Sequence, residues 1–205
     1  FNHNASVLKS LNGGGYAAAT FLTTELAPSG IVICDVNGDG FLDVVITNKE
    51  SDTVSVFLSQ MGDGFGAPQT FTVGDAPSSV AAADLNGDGK LDLITANKGS
   101  NNISVLVGIG NGTFQSQVSY PVGQAPTSVT TTDFNGDGII DIAVANFSNN
   151  TLRVLLGSAA GTFSSSGQQV LNTGGGPSSV MIADVNRDGR PDVLTADFAG
   201  TGVTL

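Results

Sequence analysis

Short runs of alternating apolar and polar residues recur along this chain, separated by clusters of Gly, Asn, Asp and Pro. In residues 139–146, for example, the apolar side chains of Ile140, Ile142 and Val144 stand at every second position. A period of two is that of a β-strand with one face buried, and such clusters are typical of turns. Similar runs predict three further strand types, at residues 127–133, 103–107 and 114–122.

These runs belong to an internal repeat. Four acidic segments of the form Asp-x-Asn-x-Asp-Gly-x-x-Asp begin 49, 49 and 51 residues apart, at residues 35–43, 84–92, 133–141 and 184–192. Other positions keep the same period: the aromatic residues Tyr16, Phe65, Phe114 and Phe163, the aliphatic residues Val7, Val56, Val105, Val154 and Leu205, and the prolines Pro28, Pro77, Pro126 and Pro177. Four strands in about 40 to 50 residues is the size of a β-propeller blade, whereas a β-helix turn would need a shorter period.

The sequence therefore predicts an all-β fold, a β-propeller built of four-stranded antiparallel blades. We expect one domain over residues 1–205, with about four blade repeats at 1–48, 49–97, 98–146 and 147–197 and the start of a further repeat at 198–205. The strand type at residues 5–8 returns at 203–205, so it occurs five times while the acidic loop occurs four times. Three arrangements follow: part of a longer propeller, a four-bladed ring closed by its own ends, or completion by neighbouring chains. We expect at least one terminal strand to pair outside a closed single-chain ring.

The acidic segments have the composition of a metal site. Oxygen-bearing side chains stand at positions 1, 3, 5 and 9, position 7 can offer a carbonyl, and Gly at position 6 permits a sharp turn. Six or seven hard oxygen ligands suit Ca²⁺; Mg²⁺ prefers a rigid octahedron, and loops without His or Cys disfavour zinc, copper and iron. The sequence predicts about four Ca²⁺ ions, held by Asp35, Asn37, Asp39, Phe41 and Asp43; by Asp84, Asn86, Asp88, Lys90 and Asp92; by Asp133, Asn135, Asp137, Ile139 and Asp141; and by Asp184, Asn186, Asp188, Arg190 and Asp192.

Two other interpretations of these segments carry less weight. A solvated turn would also favour Asp, Asn and Gly. However, carboxylates about 5 Å apart repel by roughly 3 kcal/mol per pair at an effective dielectric constant near 20, and four such clusters favour a cation. An EF-hand needs an acidic ligand at position 12 and flanking helices. Position 12 of the four loops is neutral and is occupied by Ile46, Thr95, Val144 and Thr195. The residues that flank the loops are β-branched, as in a strand.

The charge of the chain is concentrated in these loops. Three acidic positions in four loops give 12 of the 18 Asp and Glu residues, and the remaining six nearly balance the seven Lys and Arg. A net charge of −11 argues against nucleic acid and anionic membrane as partners. No apolar run approaches the roughly 20 residues of a membrane span, so no membrane insertion is expected. The chain opens on Phe1 rather than Met, and we expect a processed, trimmed or excerpted N-terminus.

On these loops and this period the chain resembles the FG-GAP/VCBS repeat family, whose calcium-loop blades also occur in integrin α-subunit propellers. Residues 65–68 read Phe-Gly-Ala-Pro, the motif that gives the family its name, and residues 62–64 before it read Gly-Asp-Gly. The fourth loop departs from the pattern at Arg187 and Pro191 but keeps its predicted ligands. The resemblance implies an extracellular, calcium-stabilised propeller used in adhesion, in glycan binding or as a scaffold beside another domain.

The sequence shows no catalytic constellation. The single histidine, His3, is interpreted as a frayed terminal residue, and the single cysteine, Cys34, as a small core residue before the first loop. The periodic aromatic residues are interpreted as inter-blade packing, with a sugar-stacking platform as the alternative. Five Asn-x-Ser/Thr sequons give only weak evidence of glycosylation, at Asn4, Asn102, Asn111, Asn146 and Asn149.

We therefore expect a non-catalytic, extracellular or cell-surface calcium-binding propeller module that mediates adhesion or binds a glycan or protein ligand. Two alternatives remain open. The chain could be a structural building block of a surface assembly or filament, formed as a homo-oligomer or by head-to-tail contacts. It could also be an accessory propeller domain of a secreted enzyme.

Overall fold

The computed structural model describes residues 3–61, 64–164 and 168–199 and the backbone of residues 203–204; these segments contain β-strands and no helix. The first sheet has two strands, β1 (Asn4–Val7) and β2 (Thr20–Thr23). Three four-stranded sheets follow: β3 (Pro28–Cys34), β4 (Asp43–Asn48), β5 (Thr53–Phe57) and β6 (Gln69–Thr72); β7 (Pro77–Ala83), β8 (Asp92–Asn97), β9 (Asn102–Leu106) and β10 (Val118–Pro121); and β11 (Pro126–Thr132), β12 (Asp141–Asn146), β13 (Thr151–Leu155) and β14 (Gln169–Asn172). The last sheet has β15 (Pro177–Ala183), β16 (Asp192–Asp197) and β17 (Val203–Thr204).

Each sheet is an antiparallel meander in which strands pair in chain order. The first strand of a blade is joined to the second through the acidic loop, so that Cys34 pairs with Asp43 and Ala83 with Asp92. The second strands β4, β8 and β12 are buried at all six positions because a neighbouring sheet covers each of their faces. Each of these strands has apolar residues at its centre and a buried aspartate and asparagine at its two ends.

Successive sheets pack face to face, with their first strands in contact. One core cluster joins Val45 and Val56 of the second sheet to Leu93 and Leu106 of the third, and a similar cluster joins the third sheet to the fourth. Antiparallel four-stranded sheets stacked around a shared line of first strands form a β-propeller. The three complete and two partial sheets correspond to about four blades, which confirms the predicted fold class.

Sheets and sequence repeats are offset from each other. The repeat boundaries at residues 48, 97 and 146 fall between the second and third strands of a sheet. The described chain therefore opens on two strands of one blade and closes on three strands of another. Among the described strands, β1 pairs only with β2, and β16 pairs with β15 and β17, so the two ends are not paired with each other. Leu205, the last member of the aliphatic series, lies outside the described residues.

A backbone N–H that donates to a side chain of the preceding blade helps to fasten successive blades at the end of the propeller remote from the acidic loops. The backbone N–H of Ala76 donates to Asp52 Oδ1 at 2.8 Å. In the first blade the N–H of Ala27 donates to His3 Nδ1 at 3.1 Å. The expectation that His3 is frayed is therefore wrong, because its ring takes the place held in later blades by an Asx side chain. The later equivalents are Asn101 with Ala125 and Asn150 with Gly176.

The described residues include no helix long and apolar enough to cross a membrane.

Candidate metal centre

The first aspartate of each acidic loop organises the loop backbone. Asp35 Oδ1 accepts the N–H groups of Gly38 and Asp39 at 2.7 and 3.2 Å, and its Oδ2 accepts the N–H of Gly40 at 2.8 Å. Both glycines have positive φ, +74° and +86°, a conformation that Gly adopts without the steric cost of a side chain. The hydrogen bond from Gly40, with those from the other loop N–H groups, lowers the pKa of Asp35. The negative charge of this carboxylate is thus favoured by the loop itself.

Positions 3 and 5 are linked to each other at the exposed rim of the loop. Asn37 Oδ1 accepts the N–H of Asp39 at 3.0 Å, and its Nδ2 donates to Asp39 Oδ2 at 2.9 Å. Asp39 Oδ1 accepts the N–H of Phe41 at 2.8 Å. In the third loop the same bonds link Asn135, Asp137 and Ile139. The side chains at position 5 are therefore exposed, whereas Asn37 and Asn86 at position 3 are half-buried.

The aspartate at position 9 is buried instead. Asp43 is fully inaccessible to solvent; its Oδ2 accepts the N–H of Val36 at 3.0 Å and its Oδ1 that of Ser59 at 2.7 Å. Ser59 follows the third strand of the same blade, so this carboxylate ties the acidic loop to the neighbouring outer loop. The equivalent bonds are Asp92 with Leu85 and Gly108, and Asp141 with Phe134 and Gly157.

The sequence analysis missed this second anchor. The donors Ser59, Gly108 and Gly157 each lie 16 residues after a position 9 aspartate, so the repeat contained a signal for them. They escape notice because a backbone N–H can come from any residue other than proline.

Charge in the loops is only partly compensated. Burial raises the pKa of Asp43, and the carboxylates of Asp39 and Asp35 raise it further, against the lowering effect of the two N–H donors. Asp92 is affected in the same way by Asp88 and Asp84. Lys90 Nζ lies 3.5 Å from Asp88 Oδ2, but this pair is exposed and is worth little. In the other described loops no Lys or Arg lies at ion-pair distance from these carboxylates.

The donor set fits a hard cation in its chemistry, since every side chain ligand is an Asp or Asn oxygen donor. Within the described segments, however, no three His, Cys, Asp or Glu side chains converge as a ready-made metal cage. The contacts above explain this: position 5 accepts from the amide of position 3 in the first, third and fourth loops and faces Lys90 in the second, while position 9 accepts backbone N–H groups. Metal binding would therefore require the exposed position 5 carboxylate to exchange its Asn or Lys partner for the ion.

The fourth loop keeps this fold despite its altered sequence. The N–H of Gly189 donates to Asp184 Oδ2 at 2.9 Å, and Asn186 Nδ2 donates to Asp188 Oδ2 at 3.2 Å. Arg187 occupies the position of the usual glycine with a φ of +63°, a conformation that costs a side chain-bearing residue roughly 1–2 kcal/mol. This loop is therefore the strained member of the set.

Most of the remaining candidate residues have packing roles. Cys34 is half-buried against the core cluster that joins the second and third sheets, and burial, with the charges of Asp43 and Asp35, raises the pKa of its thiol to about 11. This confirms the predicted core role. The aromatic residues Phe65, Phe114 and Phe163 pack between blades as predicted, whereas Tyr16 is 69% exposed.

The sequons differ in their exposure. Asn111 and Asn149 are exposed on loops. Asn146 is fully buried, and Asn102 uses its Oδ1 to accept hydrogen bonds from Asn97 and Ser100. Of these four, the buried Asn146 is not presented as a glycan acceptor.

Comparisons with known proteins agree with this architecture. The profile of the FG-GAP-like repeat matches three overlapping segments, residues 35–95, 84–144 and 133–195. A comparison with curated proteins finds no match. Among solved structures, the chain is similar to streptogramin B lyase, with 16% identity, a TM-score of 0.62 and coverage of 97% of this chain and 57% of that one.

Two further solved structures share the fold. A lectin from Agrocybe aegerita that recognises non-reducing terminal N-acetylglucosamine has 24% identity and a TM-score of 0.60, over 92% of this chain and 54% of the lectin. A protein from Lactobacillus plantarum has 17% identity and a TM-score of 0.66, over 100% of this chain and 64% of that one. The chain thus spans between about half and two thirds of the length of these structures.

Proposed function

Because this chain belongs to the FG-GAP-like repeat family, we propose that it is a non-catalytic ligand-binding β-propeller module whose acidic loops bind Ca²⁺. One observation carries the calcium proposal. A buried carboxylate at position 9 stands beside two further carboxylates whose charges oppose its own, and this recurs in successive blades. A divalent cation would offset that repulsion directly.

The residues that would hold the ion are the side chains at positions 1, 3, 5 and 9 of each loop, with the carbonyl at position 7. In the second loop these are Asp84, Asn86, Asp88 and Asp92, with the carbonyl of Lys90. When bound, the ion would supply a positive charge and cross-link the loop. Asp84 would keep its N–H bonds from Gly87 and Asp88 at Oδ1 and from Gly89 at Oδ2, because Oδ2 retains a second lone pair for the ion.

We place the protein outside the cell or at its surface. Calcium sites of extracellular modules have dissociation constants of about 10⁻⁴ to 10⁻³ M, and cytosolic calcium is too low to fill them. The acidic loops should have affinities in this range, because their position 5 ligands are exposed and must rearrange when the ion binds.

A binding role is favoured over catalysis by the chemistry of the chain. The single histidine ring accepts a backbone N–H, and the single thiol has a raised pKa, so neither is poised as a base or nucleophile. The likeness to a glycan-recognising lectin adds support for a glycan or protein ligand. Calcium would keep the blade ends rigid for such a ligand.

Calorimetry with Ca²⁺, on chelator-treated protein, tests the proposal. We expect about four sites per chain and a rise in the melting temperature with calcium, as ligand binding to the folded state requires. Asp88→Asn should remove one site and leave the calcium-free melting temperature unchanged, because Asp88 is exposed and carries only loop contacts. Ser100→Ala, in a turn at the opposite end of the blade, is the matched control for calcium binding. Fewer than about three sites, or stability indifferent to calcium, would refute the proposal.

A further inference from the structure

The end of the propeller opposite the acidic loops holds successive blades together through a series of equivalent contacts. The residue immediately before β1, β5, β9 and β13 accepts two hydrogen bonds from the linker that leads to the next blade, one at its backbone carbonyl and one at its side chain. We call each such pair of bonds a joint. The accepting residues stand 49 residues apart and are His3, Asp52, Asn101 and Asn150.

The side-chain acceptor of the first joint is an imidazole ring. The N–H of Ala27 donates to His3 Nδ1 at 3.1 Å, and an N–H can donate only to a ring nitrogen that carries no hydrogen. The ring is therefore neutral in the closed joint, with its hydrogen on Nε2. Asn101 and Asn150 accept through amide oxygens, which do not change their protonation. Imidazole is the side chain that ordinarily changes charge between about pH 5 and 8.

The first joint also has less support beneath its linker. In a later linker the N–H of Gly123 donates to Asn146 Oδ1 at 3.0 Å, and a Cβ at Gly123 would lie 2.5 Å from Asn146 Cγ. The equivalent position is Gly74 in the linker before it but Glu25 in the first linker, where a side chain prevents so close an approach. Asn48, the counterpart of Asn146, has a buried Oδ1 with no hydrogen-bond partner among the described residues. The first joint therefore depends more on its His3 contact than the later joints depend on theirs.

The charged groups around this joint do not compensate a proton on the ring. They are Glu25 on the linker and Lys49 and Glu50 in the turn after β4, which reaches the joint through the N–H of Lys49, 2.9 Å from the carbonyl oxygen of Ala27. The strands β1 and β2 carry no charged residue. All three charged side chains are exposed, and among the described residues no carboxylate lies at ion-pair distance from the ring. Protonation of Nδ1 would thus set one N–H against another without supplying a new partner.

We propose that the joint between the first two blades is a pH-sensitive latch that opens when His3 is protonated. The closed joint leaves Nδ1 without a proton and the open joint can accept one, so acid favours opening. The first blade would then be held at this boundary by the backbone bond from Thr24 to His3 and by the apolar contacts of Leu22 with Ile46 and Phe57. The later joints with Asn acceptors would stay closed. The latch lies at the end remote from the acidic loops and does not depend on the proposed calcium and ligand binding.

Amide hydrogen exchange, expressed as protection factors that correct for the intrinsic effect of pH, tests the latch. Ala27 is compared with Ala125, whose acceptor Asn101 does not titrate, at about pH 7.5 and about pH 5, near the two ends of the imidazole range. We expect the protection of Ala27 to fall about fivefold in acid, the equilibrium effect of one hydrogen bond, and that of Ala125 to be unchanged. Nitrogen NMR of the ring at the higher pH should find the hydrogen of His3 on Nε2.

Two variants separate protonation of His3 from other effects of acid. His3→Asn installs the acceptor of the later joints, so Ala27 should keep its protection at both pH values, whereas His3→Ala should lower it at both. Unchanged protection of Ala125 shows that each variant folds. The latch is refuted if Ala27 and Ala125 of the parent respond alike to acid, or if the neutral ring carries its hydrogen on Nδ1. It is also refuted if His3→Asn responds to acid as the parent does, which would assign the effect to Glu25 or Glu50, or if the response requires calcium.

Discussion

Replacing Asp92 with alanine should destabilise the calcium-free protein, although a metal-ligand role alone predicts no such effect. The carboxylate is fully buried, and it accepts the N–H of Leu85 at 3.0 Å and of Gly108 at 2.7 Å. Alanine leaves both donors without a partner inside the protein. At about 1–3 kcal/mol for each unsatisfied buried group, the loss should be about 3 kcal/mol.

The matched change Asp92→Asn separates the effect of the side chain's hydrogen bonds on stability from the effect of its charge. Burial raises the pKa of Asp92, so its negative charge itself opposes folding, while its hydrogen bonds favour folding. Asparagine removes the charge and keeps one acceptor, and we therefore expect a smaller loss of about 1 kcal/mol. Because the folded-state pKa is raised, protonation of Asp92 at low pH should relieve this burial cost rather than add to it.

Urea unfolding followed by circular dichroism, with a chelator present, gives the free energies, and amide exchange at Leu85 and Gly108 locates the damage. We expect the order parent, Asp92→Asn, Asp92→Ala, with exchange faster at both amides. If the free energy of unfolding of Asp92→Ala without calcium lies within about 0.5 kcal/mol of that of the parent, the buried carboxylate does not stabilise the fold and the reasoning is wrong.

Three further outcomes follow from other contacts. Gly123→Ala should cost about 2 kcal/mol in urea unfolding, because its Cβ would lie 2.5 Å from Asn146 Cγ. The thiol of Cys34, whose pKa is raised to about 11, should resist alkylation near pH 8 in the folded protein. Thr127→Val should cost about 1 kcal/mol, since Thr127 Oγ1 donates to the carbonyl of Pro177 at 2.7 Å across a blade boundary.

Each outcome has a control. Gly66→Ala should be tolerated because its Cβ would meet no atom closer than 3.7 Å; equal losses at the two glycines would contradict the steric argument. Urea-unfolded protein should alkylate at the ordinary rate of a cysteine, and equal rates in the folded state would show that burial does not protect Cys34. Ser178→Ala removes a bond to Ala196 within one blade, and thermal melting should show a loss confined to that blade.

The period of the sequence was sufficient to predict the blades, because a register of 49 residues places equivalent side chains on equivalent strands. It also located Asp35 and its equivalents at the start of each loop. It did not distinguish Asp39, which is exposed, from Asp43, which is buried, since both are aspartates in one motif and their difference comes from the outer loop that contacts only the latter. The packing of Phe114 was predictable from its period for the same reason.

The role of His3 was mispredicted because residue type was weighed over position. His3 stands 49 residues before Asp52, and this spacing alone assigns it to the turn that caps the next blade. A ring nitrogen and a carboxylate oxygen are both acceptors, so the two residues are interchangeable at this site.

The hydroxyl bonds between first strands bear on how such a chain can grow. Ser29 Oγ donates to the carbonyl of Pro77, and Ser78 Oγ to that of Pro126, each across one blade boundary. Every such blade thus carries a donor for its successor and an acceptor for its predecessor. Tandem duplication of one gene segment would produce a compatible boundary at once, without any compensating substitution. Selection could then act on the loops while the number of blades changed independently.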